Sequence, residues 1–517
     1  MIKSIVKKGE YFDSVSLMIV GKDIALMDYV LDATVVMATQ ENKSILKTAG
    51  LYLDEFEEYD DTDLLIVVKS DHEEKLDEIF KNVDNLLIEI RNKKDDQGTF
   101  NPRSLETAIQ IQPESNLALI SLAGRYAGAE AMKALQKGLN VMLFSDNVSI
   151  ETEIELKKYA VENNLLMMGP DCGTAIINGV PLAFSNAVHK GDIGIIAASG
   201  TGLQEVSSII SEEGFGISQA IGTGGRDIKE QVGGMMFISA LDALKNDENT
   251  EVIVLVSKPP HPAVLKKINE KLKKISKPIV SVFLGANSNL IKESGAFAAE
   301  TLEEAALLAC AISSKVEISK VSKYLEERSK SYEKIVTNEV KKISSGRKYI
   351  RGLFSGGTLC DETQLILKNN FENIFSNRAT DEKFALTDSW LSKEHTLVDL
   401  GEDEFTVGRL HPMMDFDLRN KRILQEARDE ETAVILFDLV LGYGANIDPL
   451  NEILPIIIKA QKIAPDISFI CSVTGTEQDP QNRSMIIQTL EKNGVIVMPS
   501  NAAAAEVVKL IIKKINK

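Results

Sequence analysis

GDIGIIAASGTGLQEVSSII (residues 191–210) and KYIRGLFSGGTLCDETQLIL (residues 348–367) are two writings of one unit. Each runs from an apolar strand through a Ser-Gly turn into a helix. The segments downstream of them repeat as well. AIGTGGRDI and DENTEVIVLVSKPPHP complete the first copy by Pro262, and LVDLGEDEF and DEETAVILFDLVLGYGANIDP complete the second by Pro449. The pattern in both is strand, Gly-rich turn, helix, strand, Gly-rich turn, helix, strand. A duplicated unit of this kind fixes the architecture. Its turns aim backbone N–H groups and a helix N-terminus at one spot beyond the sheet, where an anion such as phosphate is favoured.

Working outward, short Val/Ile/Leu runs alternate with helical stretches almost throughout, the rhythm of parallel α/β domains. VSLMIV, DATVVMAT and DLLIVVKS are expected as strands of an N-terminal α/β domain that ends, with a polar linker, near residue 112. LALIS, VMLFS and LLMMGPDCGT belong to a Rossmann-like domain over 113–190. The first repeat fills 191–313, a charged connecting helix 314–347, and the second repeat 348–517. The expected fold is therefore several doubly wound parallel-sheet domains: the Rossmann-like one plus two flavodoxin-like domains.

Composition narrows the function. A length of 517 residues allows several domains with sizeable cores. A net charge of −18 lacks the basic face of a general nucleic-acid binder, yet local N–H nests can still hold anionic substrates. The four cysteines, 172, 310, 360 and 471, form no CxxC pair, so no metal site or disulfide framework is expected. No signal-peptide stretch opens the chain and no run approaches about 18 apolar residues, so a cytoplasmic protein with no membrane span is expected.

The phosphate-binding candidates are Ser199, Gly200, Thr201 and Gly202, then Gly224 and Gly225, Ser355, Gly356 and Gly357, Gly442 and Gly444, and Gly475 and Thr476. Each turn could equally be an N-capped corner after a strand. Gly200 and Gly442 are expected to face each other across one cleft. The catalytic candidates are Thr201 as a hydrogen-bond donor, His411 as a general acid or base, and Asp438. Asp438 lies within an apolar strand, where a carboxylate is either catalytic or paired for structure. Cys172 is a nucleophile or a buried small residue. His261 and His411 both precede proline; His72 and His189 read as surface residues.

In their order and spacing, GPDCGTAI, DIGIIAASGTGLQEV, GFGISQAIGTGG and ESGAFAAETLEEA resemble the α subunit of the succinyl-CoA synthetase superfamily. DLGEDE, DEETAVILFDLVLGYGANID and VTGTEQDPQNRSMIIQTLEKNGV resemble the C-terminal domain of its β subunit. The resemblance spans about 115–517. Fusion of these parts with VSKPPHP, HPMMD and GTEQDPQ resembles the FdrA family. It implies that the Rossmann domain over 113–190 is CoA-binding-like, and that ligase-type domains follow, with Ser199, Gly200 and Thr201 at one phosphate-pointing helix and Gly442 and Gly444 at a second.

Three features of the superfamily are missing. Glu293 stands where the synthetases phosphorylate a histidine, no ATP-grasp domain is present, and the N-terminal Gly-x-Thr-Gly-x-x-Gly turn for coenzyme A has no counterpart. The FdrA resemblance implies a subunit of a carbamoyltransferase complex of purine (allantoin) catabolism, forming oxamate and carbamoyl phosphate from oxalurate and phosphate without a cofactor. It further implies other subunits and a homo-oligomer as partners. The alternatives are an ADP-forming acyl-CoA synthetase or CoA transferase, with coenzyme A bound and Glu293 as acyl acceptor, and a non-catalytic scaffold binding a phosphorylated ligand.

Overall fold

The computed structural model describes residues 1–10, 12, 14–95, 102, 104–406 and 409–516. They form two units, residues 1–113 with 402–411, and residues 114–401 with 412–517. The continuous stretch of the first unit ends at Pro113. The return of 402–411 to the N-terminal unit has no signal in the sequence.

The N-terminal unit is built on an antiparallel sheet, with Leu64–Ser70 between Ile2–Lys7 and Val30–Met37. Alternation along the central strand sends Ile66 and Val68 to one face and Leu65 and Val67 to the other. Helices Ser14–Ala25 and Leu76–Asp95 cover the first face, and Leu46, Leu51 and Phe56 the second. Two expectations are corrected here. The sheet is antiparallel, and VSLMIV is part of the helix Ser14–Ala25 rather than a strand. Leu17, Val20 and Ile24, spaced by three and four, all turn to the core. The short apolar run hid that helical period, while the more polar IKSIVK at the start supplies the strand. Of the expected linker, residues 104–116 include the helix Leu105–Ile111; residues 96–101 and 103 lie outside the described residues.

In the second unit, Leu117–Ile120, Asn140–Leu143 and Met167–Met168 form the parallel sheet of the Rossmann-like part. A seven-stranded sheet follows, in the order Phe297–Ala298, Ile279–Phe283, Val252–Ser257, Lys190–Ala197, Ile217–Gly222, Thr174–Ile177, Val180–Ala183. The first five strands are parallel and the last two add an antiparallel edge. The second repeat makes a six-stranded parallel sheet with Tyr349–Phe354 and Thr432–Val440 near its centre. Strands such as Thr432–Val440 are buried along their whole length, which is why they read as unbroken apolar runs.

One continuous core joins the two repeats: Leu203, Val206 and Ile210 of the first share it with Leu359, Val507 and Ile511 of the second. The expected single connecting helix is two, Ser319–Ser331 and Glu333–Lys342. The break at Tyr332 lets Val321, Tyr332 and Val336 all reach that core. Among the described residues no helix is long and apolar enough to cross a membrane.

Candidate functional site

The two Ser-Gly turns of the repeats meet head to head. Ser199 caps the helix Gly200–Glu212 by accepting the Gly202 amide at 3.0 Å, and its hydroxyl lies 2.6 Å from that of Thr358. Thr358 is the second residue of the matching helix, Gly357–Lys368. A side chain at Gly356 would come within 3.0 Å of Thr201, so glycine is what lets the turns touch. The amides of Gly200, Thr201, Gly357 and Thr358 have no acceptor among the described residues. Two helix N-termini with unspent donors therefore converge on the seam between the repeats.

Around this seam stands a charged cluster that reading the sequence missed. Asp361, one turn into the second helix, accepts from Nε and Nη2 of Arg378, both at 3.2 Å. It also pairs with Lys258, which follows the strand Val252–Ser257 of the first repeat, at 2.7 Å. Arg378 reaches Asp399, at the end of the strand His395–Asp399, at 3.4 Å. Burial pushes the Asp361 carboxyl up to about 7. Burial likewise pushes Asp399 up to about 6, although Arg378 and the Gly401 amide pull it down. These residues sit at or just beyond the C-terminal ends of parallel strands, where open α/β sheets place ligands. That position was the available signal: VSK, SGGTLCD and LVD each put a charge soon after a strand.

The remaining candidates are placed elsewhere, and several are spent. Asp438 is fully buried. One carboxylate oxygen takes the amide and hydroxyl of Ser355 at 2.8 and 3.0 Å and Arg419 at 3.1 Å; the other takes the Gly356 amide at 2.9 Å. Asp438 thus shapes the second turn, the structural alternative of its reading, and the Ser355 and Gly356 amides donate to its carboxylate rather than to a ligand. Gly442 exchanges hydrogen bonds with Gln481 at 3.1 and 2.8 Å. A side chain there would lie 2.6 Å from the Ser185 carbonyl, and one at Gly444 would lie 2.7 Å from Phe184. The 441–444 turn is a joint against residues 183–186, and the direct partner of the Ser199–Thr201 turn is 355–358 instead.

Thr476 is also engaged, and a side chain at Gly475 would lie 2.8 Å from Leu441. The Thr476 amide donates to Asp479 at 2.8 Å and its hydroxyl to the Ala187 carbonyl. Gly224 packs on the Pro170 carbonyl, while Gly225 is exposed. His411 belongs to the segment that groups with the N-terminal unit, whereas Thr201 and Asp438 belong to the other. His261 caps the helix Pro262–Leu272, its ring nitrogen accepting the Ala263 amide at 3.4 Å. Burial pushes Cys172 up to about 12, which suits a packed thiol and not a nucleophile. Glu293 is exposed at the end of the short helix Ser288–Lys292.

With this geometry the chain can be placed. It carries the domains of succinyl-CoA-synthetase-like CoA ligases: the CoA-ligase model matches residues 353–511 and the CoA binding domain model residues 188–285. The second match covers the strand, turn and helix around Ser199–Gly202, the segment expected as the first ligase-type domain. The chain belongs to the same family as the uncharacterized protein YahF of Escherichia coli, to which it is 43% identical over 97% of its own length and 96% of that protein's. It is also 25% identical to subunit alpha 1 of the ADP-forming succinate–CoA ligase of Archaeoglobus fulgidus, over 35% of this chain and 62% of that one. Acetyl-coenzyme A synthetase 1 of Ca. Korarchaeum cryptofilum is 15% identical, over 77% of this chain and 83% of that one, with a TM-score of 0.33.

The model for the heavy metal-associated domain of AllF matches residues 1–102. These residues do not fit a soft metal. They contain no cysteine and a single histidine, His72, and among the described residues no cluster of three His, Cys, Asp or Glu is arranged for an ion. For coenzyme A, the fitting feature is the unspent amide pair of Gly200 and Thr201, which suits a phosphate group.

Proposed function

We propose that the chain handles an acyl phosphate at the seam where its two Ser-Gly turns meet. The observation that carries this is the Ser199–Thr358 contact at 2.6 Å, which brings two helix N-termini and their unspent amides together. There the Gly200, Thr201, Gly357 and Thr358 amides, with the Thr201 hydroxyl, would hold the phosphate oxygens. Both dipoles would favour the charge that grows on phosphate as it leaves. Donors fixed by the fold need no rearrangement during the reaction, so no protein nucleophile is required.

Two acceptors give two reactions. The similarity to CoA ligases supports the first, acyl transfer to a thiol as in ADP-forming acyl-CoA synthetases. Bound coenzyme A would supply that thiol. The second is carbamoyl transfer between phosphate and oxamate within a complex of several subunits. It is favoured by Glu293, a carboxylate in the place of the phosphorylated histidine.

The experiment offers carbamoyl phosphate and acetyl phosphate to the full chain, alone and with the proteins encoded beside it, with coenzyme A or oxamate as acceptor. Acyl-CoA formation would establish the first reading and oxalurate the second. A chain that binds inorganic phosphate yet turns over neither donor would be a ligand-binding scaffold.

A further inference from the structure

We propose that Asp361 is the proton acceptor of this site, taking the proton that the attacking group must lose as it displaces phosphate from the acyl carbon. The inference rests on the acyl-phosphate reading and adds the acid–base step to it.

Placement carries the argument. Thr358 and Asp361 are three residues apart on the helix Gly357–Lys368 and so share a face. The 2.6 Å contact of Thr358 with Ser199 turns that face to the seam. The carboxylate of Asp361 is held from both repeats, by Lys258 of the first at 2.7 Å and by the fork of Arg378 of the second. Arg378 is fixed in turn by Asp399, against which the helix starts so closely that a side chain at Gly357 would lie 2.5 Å from Asp399 Oδ2.

The charged groups facing Asp361 are therefore Lys258 and Arg378, with Asp399 across the guanidinium and Asp438 beyond it. Burial raises the carboxyl to about 7, so it can take and return a proton near neutrality. Lys258, with 44% of its side chain exposed, gives the cluster an edge in water.

The step balances without a redox partner. The nucleophile X–H, a thiol or an amide N–H, forms the X–C bond while the C–O bond to phosphate breaks. The bonding electrons leave with the phosphate, onto the helix amides. The proton of X passes to Asp361 and then to solvent.

The test is the pH profile of kcat/KM for the full chain with carbamoyl phosphate or acetyl phosphate as donor, supplied with whichever acceptor and neighbouring subunits give turnover. The wild type should show an acid limb near neutrality. Asp361→Asn should lower the rate on the order of 100-fold or more and abolish that limb, while still gaining thermal stability from inorganic phosphate. Lys258→Met removes one facing positive charge and should move the limb upward by about one unit. This second variant tests the proposal even if Asp361→Asn fails to fold. Turnover by the wild type with the acid limb intact in Asp361→Asn, or unmoved in Lys258→Met, would overturn the role of Asp361 alone. A wild type inactive on every acyl phosphate would overturn the functional reading and this inference with it.

Discussion

Glu205 and Glu362 stand at matching positions, each the sixth residue of its repeat's first helix, and each closes a helix of the other repeat. Glu205 accepts the amide of Asn501, first residue of the closing helix Asn501–Ile515, at 3.0 Å. Glu362 accepts the amide of Leu302, first residue of Leu302–Ser313, at 2.7 Å. The Asn501 side chain joins the pair by donating to Glu362 at 2.7 Å. Both glutamates are fully buried. The two repeats are thus locked by an exchange of caps as well as by a shared core.

That exchange makes stability depend on pH. Burial raises Glu362 to about 8, against hydrogen bonds that lower it, and raises Glu205 in the same direction. Glu362 binds more protons folded than unfolded between about 4.5 and 8. Its contribution is full below that window and is lost as pH rises through it. Urea unfolding should therefore show stability falling from pH 5 to pH 8, by up to about 1.4 kcal/mol per pH unit for Glu362. Glu362→Gln should flatten the fall.

Asp438 gives a sharper stability test. Asp438→Ala would leave Arg419, itself fully buried, without its carboxylate, and would free the Ser355 and Gly356 amides. A loss of about 3–5 kcal/mol is expected from chemical unfolding. Replacing Arg419 by Met and Asp438 by Leu together should recover part of it.

Two glycines in close contact with their neighbours should not tolerate a methyl group. Gly357→Ala would drive a carbon to 2.5 Å from Asp399. It should cost about 1–3 kcal/mol in denaturant unfolding and weaken protection by phosphate. Gly442→Ala, at φ 113° and 2.6 Å from the Ser185 carbonyl, should lose comparable stability while leaving phosphate protection in place, because its turn is a joint.

Thr201→Val keeps shape and removes one donor. If Thr201 serves the leaving phosphate, kcat should fall on the order of 100-fold with stability little changed. Steady-state kinetics beside a melting curve checks both.

Metal analysis of the purified full chain after incubation with zinc or copper should find no stoichiometric ion held by residues 1–102. They lack the thiolates that soft-metal sites use.

Much of the fold was legible because the signals were local. Strands such as Thr432–Val440 are buried throughout and read as pure apolar runs, and Ser199 announces its helix by capping it. VSLMIV misled because so short a run, apolar but for Ser16, hides a helical period that only the packing of Leu17, Val20 and Ile24 reveals. The site was half legible. Ser199 and Thr201 carried a motif, whereas Lys258, Asp361, Arg378 and Asp399 are drawn together from both repeats by tertiary structure alone. Nor could the sequence tell a turn that offers its amides from one that has used them. Gly356 and Gly442 look like Gly200 in the sequence, but Asp438 and Gln481 answer them from 82 and 39 residues away.

The joint at 441–444 has a further consequence, for stoichiometry. A duplicated plan would suggest one ligand per copy. Here the Gly442 turn is occupied by Gln481 and seated on Ser185, and the Ser355 and Gly356 amides are occupied by Asp438. On the proposed reading the copies share a single anion site. A phosphate titration of the chain would then saturate at one equivalent, with neither copy owning the anion it binds.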